Sequence, residues 1–326
     1  MDPAGTNLHP RVSVIMPSYN TATLIAASLD SVFQQTFQNF EVIVVNDGSP
    51  DAPQLEKALS PYLDRIVYIS QENKRAAGAR NTAIRKSRGE FLAFLDSDDV
   101  WLPGHLAAQV KLLEEDPGLA LVYSNCYATA DPSQSRTFMD NCPSEGPATF
   151  AALVVERCQI PVSTVVARKS ALLTAGLFDE TMVRCDDYDM WLRAAFYGAK
   201  IAYTRNVQAR LNEGRPGSLG ASNVRMVEAY WQILEKANRT LSLSDADRKV
   251  VRGRADEIHG RYLVEEGKIE LSRGEFETAR KLFSDANSYL GRRKLKLAVW
   301  GLKTAPFLTR RLFALSSKVR RKTAAS

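Results

Sequence analysis

Four short apolar runs in the first hundred residues each break off at polar residues, and this pattern limits the fold more than any other feature. Residues 11–16, 40–45, 66–70 and 91–95 read as buried strands. They run into Pro17-Ser18-Tyr19-Asn20, Asn46-Asp47, Gln71-Glu72-Asn73 and Asp96 to Asp99. Helical spacing fills 21–35, 54–62 and 76–87 between them, with Leu24, Ile25, Leu29, Val32 and Phe33 on one face of the first. Strand–helix alternation of this kind argues for a mostly parallel sheet with helices on both faces. The polar strand ends then share one edge, where open α/β sheets bind ligands.

The fourth run ends in three carboxylates within four positions, Asp96, Asp98 and Asp99. Like charges this close repel and raise one another's pKa unless something positive sits among them. A divalent cation with oxygen ligands is one partner; an acidic turn capping the following helix is the other reading.

Further along, a helix is expected at 106–115 and a strand at 120–127, then a long Pro-, Ser- and Asp-rich loop over 128–147. Helices at 150–157 and 168–175 flank an apolar stretch at 160–167. A helix opens at Cys185-Asp186-Asp187-Tyr188-Asp189, a last short strand covers 200–204, and a Gly/Pro/Arg loop covers 210–218. From about residue 223 the pattern is helical, and 264–290 has the Gly, aromatic and Ala spacing of one TPR-like helical pair. The expected division is 1–222, 223–291 and a basic amphipathic tail, 292–326.

Charge follows that division. From Arg292 onward there are eleven Lys/Arg and no Asp/Glu, which leaves 32 basic against 37 acidic residues in the rest. The net charge of +6 therefore describes a tail on a mildly acidic body. Cations interleaved with Leu295, Leu297, Trp300, Leu302, Phe307 and Leu312 suit an anionic membrane surface, or a helix packed on the body. No zinc-finger or helix-turn-helix signature accompanies the charge, so nucleic acid is not an expected partner. Four scattered cysteines, no apolar run long enough to cross a bilayer and no signal-peptide pattern lead to a cytoplasmic expectation, on the inner face of the membrane if the tail docks there. The absence of G-x-G-x-x-G after the first strand and of G-x-x-x-x-G-K-[ST] disfavours dinucleotide and P-loop chemistry.

Five segments, V-S-V-I-M-P-S-Y-N, V-I-V-V-N-D-G-S-P-D, G-A-R-N, F-L-D-S-D-D-V-W and D-D-Y-D-M-W-L-R, occur in that order. Together they resemble the family 2 glycosyltransferases with the GT-A fold, over roughly residues 11–220. The resemblance implies a Rossmann-like α/β domain, here with a C-terminal helical extension, that moves a sugar from a UDP- or dTDP-type donor to an acceptor hydroxyl with inversion. It implies Mg2+ or Mn2+, held by Asp98 with Asp96 and Asp99 beside it, Asp96 also facing the ribose and donor sugar. It implies that Tyr19 stacks on the base, with Pro17 shaping the turn and Asn20 also in the nucleotide-binding set, that Asp47 accepts from the base N–H, and that Arg80 contacts the nucleotide. Asp187 matches the second acid of a Glu-Asp pair and is the expected general base, with Asp186 standing where relatives carry Glu. Arg215 occupies a place where many relatives have His, and could clamp diphosphate oxygens instead.

The processive members' Gln-x-x-Arg-Trp motif is missing, so transfer of one or a few sugars is expected, onto a saccharide or lipid-linked acceptor in cell-surface polysaccharide or glycolipid synthesis. Two rivals come from other classes. One is a non-catalytic nucleotide-sugar or partner-binding module working through its helical C-terminus. The other is a nucleotidyltransferase, which lacks here its Gly-rich, cationic loop after the first strand.

Overall fold

The computed structural model describes residues 9–129, 136–212 and 223–313. Two compact units divide the chain, Met1–Ala221 and Ser222–Ser326.

The first unit is built on one eight-stranded sheet. Its strands are β1 (Val12–Ser18), β2 (Phe40–Asp47), β3 (Val67–Gln71), β4 (Phe91–Phe94), β5 (Val100–Trp101), β6 (Leu119–Tyr127), β7 (Val166–Arg168) and β8 (Lys200–Arg210), in the order β3-β2-β1-β4-β7-β6-β8-β5. The four strands read from apolar runs form the parallel half, with Val12 opposite both Phe40 and Phe91. β7 runs antiparallel between β4 and β6, and β5 antiparallel to β8.

Helices α1 (Ile25–Phe33), α2 (Ala52–Leu59), α3 (Arg75–Lys86), α4 (His105–Glu115), α5 (Phe138–Asn141), α6 (Phe150–Val154), α7 (Lys169–Thr174) and α8 (Asp186–Phe196) complete this unit. Side-chain alternation along the strands decides which face each helix covers. Val12, Val14, Met16, Val42, Val44, Phe91 and Ala93 form one core with Ile25, Leu29 and Val32 of α1, Leu55 and Leu59 of α2, and Leu106, Val110 and Leu113 of α4. Phe94 has the opposite parity, and its ring meets those of Phe178 at 5.6 Å and of Trp191, on α8, at 5.9 Å. With helices on both faces of a mostly parallel sheet, the expected fold class holds.

Four elements differ from expectation: β5 is not among the expected strands, and α5 lies within the expected 128–147 loop. The 160–167 stretch is a 3-10 turn, Val162–Thr164, leading into β7. The last strand is β8, eleven residues long rather than five, and it passes β6 through register shifts between Leu119 and Leu121 and on both sides of Asn125. Its second half reads as loop in the sequence because Arg205, Asn206, Gln208 and Arg210 are polar, yet Ala209 pairs with Trp101.

The second unit is helical: α9 (Asn223–Thr240), α10 (Asp245–Arg273), α11 (Phe276–Leu290) and α12 (Arg293–Thr304), with 306–313 also helical. Ser244 caps α10, its side chain accepting from the Asp247 N–H at 3.1 Å, and Gly274 closes it in the left-handed region at φ 91°. α10 and α11 pack closely because Gly267 gives its side-chain volume to Phe283; a Cβ there would lie 2.6 Å from the ring.

Candidate active site

Parallel pairing puts the ends of β1, β2, β3 and β4 along one edge, and hydrogen bonds then tie their loops together. Ser18 Oγ, Thr21 Oγ1 and Ser97 Oγ form a buried chain of hydroxyls, with both contacts at 2.9 Å, that joins the end of β1 to the acidic turn after β4. Asn20 adopts φ 55° and its N–H donates to Ser49 Oγ at 2.6 Å, while the Ala22 N–H donates to Asp51 at 2.9 Å. Pro17 lies inside β1, opposite Val45, one residue past the expected strand end. Tyr19 follows on the turn and is 51% exposed, an open aromatic face on this edge.

At the end of β2 the turn chemistry belongs to Asn46, whose Oδ1 accepts from the Ser49 N–H at 2.9 Å. Asp47 is buried and points along the edge; its Oδ1 accepts from Gln71 Nε2 at 2.7 Å and from the Lys74 N–H at 2.8 Å. Gly48 sits at φ 64°, where a Cβ would come 2.8 Å from the Asn73 nitrogen, so a side chain is excluded twice over.

The centre of the site is Arg80. Its Nη2 donates to Asp96 Oδ1 at 2.7 Å and its Nη1 to Asp186 Oδ2 at 2.6 Å. One buried guanidinium thus fastens the acidic turn after β4 to the acidic first turn of α8. Burial opposes charge on Arg80, but Asp96, Asp186 and Asp187 outweigh it and hold the group firmly protonated. The neighbouring Asn81 fixes the height of this contact. Its Nδ2 donates to the Phe178 carbonyl at 2.8 Å and to Glu180 at 2.9 Å, and its Oδ1 accepts from the Phe178 N–H at 3.0 Å.

Asp187, the half-buried residue next to Asp186, accepts from the Tyr188 N–H at 2.9 Å. Burial first, then the charge of Asp186, push its carboxyl up to about 6, with Arg80 opposing the rise. A carboxylate poised there is suited to accept a proton near neutral pH. The acids of α8 do not cap it through side chains: the N-cap is Cys185, in the left-handed region, with no side-chain cap bond.

Asp99 is tied into the scaffold and does not cap α4. Its Oδ2 accepts from Ser163 Oγ at 2.5 Å and its Oδ1 from the Asn212 N–H at 2.8 Å. Both oxygens are therefore engaged, and the N-cap of α4 is Gly104. Burial, followed by the charges of Asp96 and Asp98, drives the Asp99 carboxyl well above the usual range. Ser163 also accepts from the Asp96 N–H at 3.1 Å, so it pins the acidic turn at two points.

The donor set fits a hard cation. Asp96 and Asp98 are both partly open, offer only oxygen, and raise the pKa of Asp99 by a repulsion that a cation would relieve. Among the described residues no three His, Cys, Asp or Glu side chains converge as a closed cage. Mg2+ commonly takes one or two carboxylates and completes its shell with substrate phosphates.

The edge therefore gathers Pro17, Tyr19, Asn20, Asp47, Arg80, Asp96, Asp98, Asp99 and Asp187, while Arg215 lies outside the described residues. Sequence reasoning passed over Ser163, the hydroxyl chain and the anchoring role of Asn81. Asn81 adjoins Arg80 and could have been suspected; Ser163, in an apolar stretch, gives no signal.

The family model for Glycosyl transferase family 2 matches residues 13–161. The chain is 36% identical over 182 residues to the Escherichia coli UDP-Glc:alpha-D-GlcNAc-diphosphoundecaprenol beta-1,3-glucosyltransferase WfgD, covering 56% of this chain and 68% of that one. Two solved structures share the fold. One is S. aureus TarS 1–349, with a TM-score of 0.63 at 18% identity, covering 94% of this chain and 91% of that one. The other is the mannosyltransferase PcManGT from Pyrobaculum calidifontis in complex with GDP-Man and Mn2+, with a TM-score of 0.61 at 21% identity, covering 96% and 89%. The ordered motifs, the sheet they end on and these relatives agree: the chain belongs to the family 2 glycosyltransferases and has their GT-A fold.

Proposed function

We propose that the chain moves one sugar, or a few, from a UDP- or dTDP-type nucleotide sugar to an acceptor hydroxyl, with inversion, in the synthesis of a cell-surface polysaccharide or glycolipid. The observation that carries this reading is the Arg80 bridge, which sets the acids of β4 and of α8 on either side of one guanidinium. The acid turn and the elevated carboxyl of Asp187 are thereby held in fixed relation.

In this reading Tyr19 stacks on the base and Asp47 accepts from its N–H. Asp96 and Asp98 would hold a divalent cation, which would supply positive charge against the departing diphosphate. Asp187 accepts the proton of the acceptor hydroxyl as that oxygen attacks the anomeric carbon from the side opposite the diphosphate. One base facing one leaving group gives inversion. Arg80 holds Asp96 and Asp186 in place throughout, so that little rearrangement accompanies the reaction. Arg215 is assigned to the diphosphate oxygens.

WfgD, by its name, uses UDP-Glc and a diphosphoundecaprenol-linked acceptor, which supports a UDP-sugar donor and a lipid-linked saccharide here. Such an acceptor would bring the enzyme to the inner face of a membrane; no helix among the described residues is long and apolar enough to cross one. The test is a panel of nucleotide sugars scored for Mn2+-dependent thermal stabilisation and hydrolysis. Selective stabilisation and slow hydrolysis of one uridine or thymidine donor is expected. Stabilisation without turnover of any donor, with or without candidate acceptors, would favour the binding-module rival.

A further inference from the structure

Among the described residues the exposed large apolar side chains are scattered, except in one place where they cluster. The five most exposed among the described residues are Leu297 (67%), Trp300 (65%), Phe307 (74%), Leu308 (58%) and Leu312 (58%). All lie within the stretch 292–313, which carries seven Lys/Arg and no Asp/Glu.

Helical geometry explains how α12 keeps such residues outside. Leu295, Ala298 and Leu302 recur at three- and four-residue spacing and are buried in a cluster with Leu271, Ala279, Phe283 and Ala286. That face satisfies the unit's own core. Arg293, Leu297, Trp300 and Thr304 fall on the other side and are exposed, flanked by exposed Lys294, Lys296 and Lys303. The helical residues 306–313 are fixed close to α12, since a Cβ on Gly301 would lie 2.6 Å from Thr309 Oγ1. Phe313 stacks on Phe283 with ring centroids 5.7 Å apart, and Arg310 donates to the Ser272 carbonyl at 2.7 Å. Phe307, Leu308 and Leu312 are thus held on an ordered segment even though they face water.

We propose that α12 and residues 306–313 form a docking surface for an anionic membrane. Leu297, Trp300, Phe307, Leu308 and Leu312 enter the interfacial layer, and the surrounding Lys and Arg meet lipid phosphates. Charge selects this occupant. A second copy of the same surface would set cations against cations. A nucleic acid would leave the leucines and phenylalanines without a partner. An anionic bilayer satisfies both kinds of side chain at once. The proposal does not rest on the transfer reaction, and its test needs no donor.

Trp300 makes the test specific. Trp101 and Trp191 are buried, and Trp231 is stacked on His259 at 4.2 Å, so Trp300 is the tryptophan a bilayer would reach. The full chain is mixed with vesicles of phosphatidylglycerol and phosphatidylcholine, or of phosphatidylcholine alone, with and without brominated acyl chains. Expected are sedimentation with the phosphatidylglycerol vesicles, release by salt, and bromine quenching that disappears in Trp300→Phe. The triple variant Leu297→Ser/Trp300→Ser/Phe307→Ser should bind about tenfold more weakly or worse. The milder Lys294→Glu/Lys303→Glu, which leaves the buried face intact, should lose the same binding should the triple variant fail to fold. The proposal is overturned by no binding to phosphatidylglycerol vesicles at low salt, by binding without quenching of Trp300, or by a concentration-dependent dimer that shields Trp300 in the absence of lipid.

Discussion

Two acidic clusters of the first unit, one at the end of β4 and one at the start of α8, have nearly the same composition and different electrostatics. Each places three aspartates within four positions: Asp96, Asp98 and Asp99 in one, Asp186, Asp187 and Asp189 in the other. In each, one acid goes to Arg80, Asp96 and Asp186 respectively. In each, a second is tied into the scaffold. Asp99 is held by Ser163 and Asn212, and Asp189 accepts from Arg193 one helical turn on at 2.7 Å. The remaining acids, Asp98 and Asp187, are the two to which we assign chemistry. The clusters differ in what offsets their charge. The acids of α8 sit on a helix N-terminus and have two arginines close by, so the scaffold itself carries much of the compensation. The β4 cluster shares Arg80 and has no helix end of its own, and burial first, then the charges of Asp96 and Asp98, raise the Asp99 carboxyl. In our proposal the first arrangement serves a base and the second would hold a cation.

Breaking the bridge should have the largest effect. Arg80→Met leaves Asp186 buried without its partner and Asp96 unanchored, which costs about 3–5 kcal/mol. Urea unfolding would measure it, and a stability unchanged from wild type would mean that the two clusters are not joined through Arg80. Smaller is the effect of Ser163→Ala, which removes a donor from Asp99 and an acceptor from the Asp96 N–H. About 1–3 kcal/mol should be lost, again by urea, with Arg80 and α8 unaffected.

The two clusters also separate by pH. The Asp187 carboxyl is raised from 3.8 to about 6, so between those values the folded chain binds more protons than the unfolded one. That contribution to stability is present below pH 3.8 and lost as pH rises through about 6. The ionised form needed of a base grows over the same interval. kcat/KM should therefore climb about tenfold per pH unit below that value and level off above it. A flat profile across pH 5–7 would remove Asp187 from the rate equation. The smallest effect is expected at the end of β1: Tyr19→Ala should weaken nucleoside diphosphate binding by about 1 kcal/mol and leave the unfolding midpoint in place, since the ring is exposed.

The contrast between the clusters was half legible in the sequence. Strands that end at Asp47 or Asp96 announce themselves because continuous apolar runs stop at polar residues, and parallel pairing does the rest. The sharing of Arg80 between Asp96 and Asp186 could not be read, since it depends on α8 returning to the sheet edge 106 residues after Arg80. The tie from Asp99 to Ser163 was hidden for the same reason, in a stretch whose apolar neighbours, Ile160 and Val165, mark only burial. β7 escaped notice because a three-residue antiparallel strand has too few positions to show a period. β8 was cut short because its far half carries polar side chains on a pairing decided by β5 and β6.

The division of labour between the clusters is tested most directly by titrating a nucleoside diphosphate into Asp98→Asn and Asp187→Asn, with and without Mn2+, while following sugar transfer by the same two proteins. The account predicts that Asp98→Asn loses the Mn2+-dependent gain in affinity, and that Asp187→Asn keeps it but loses transfer by about 100-fold or more. Retained transfer in Asp187→Asn, or an equal Mn2+-dependent gain in Asp98→Asn and the wild type, would contradict it.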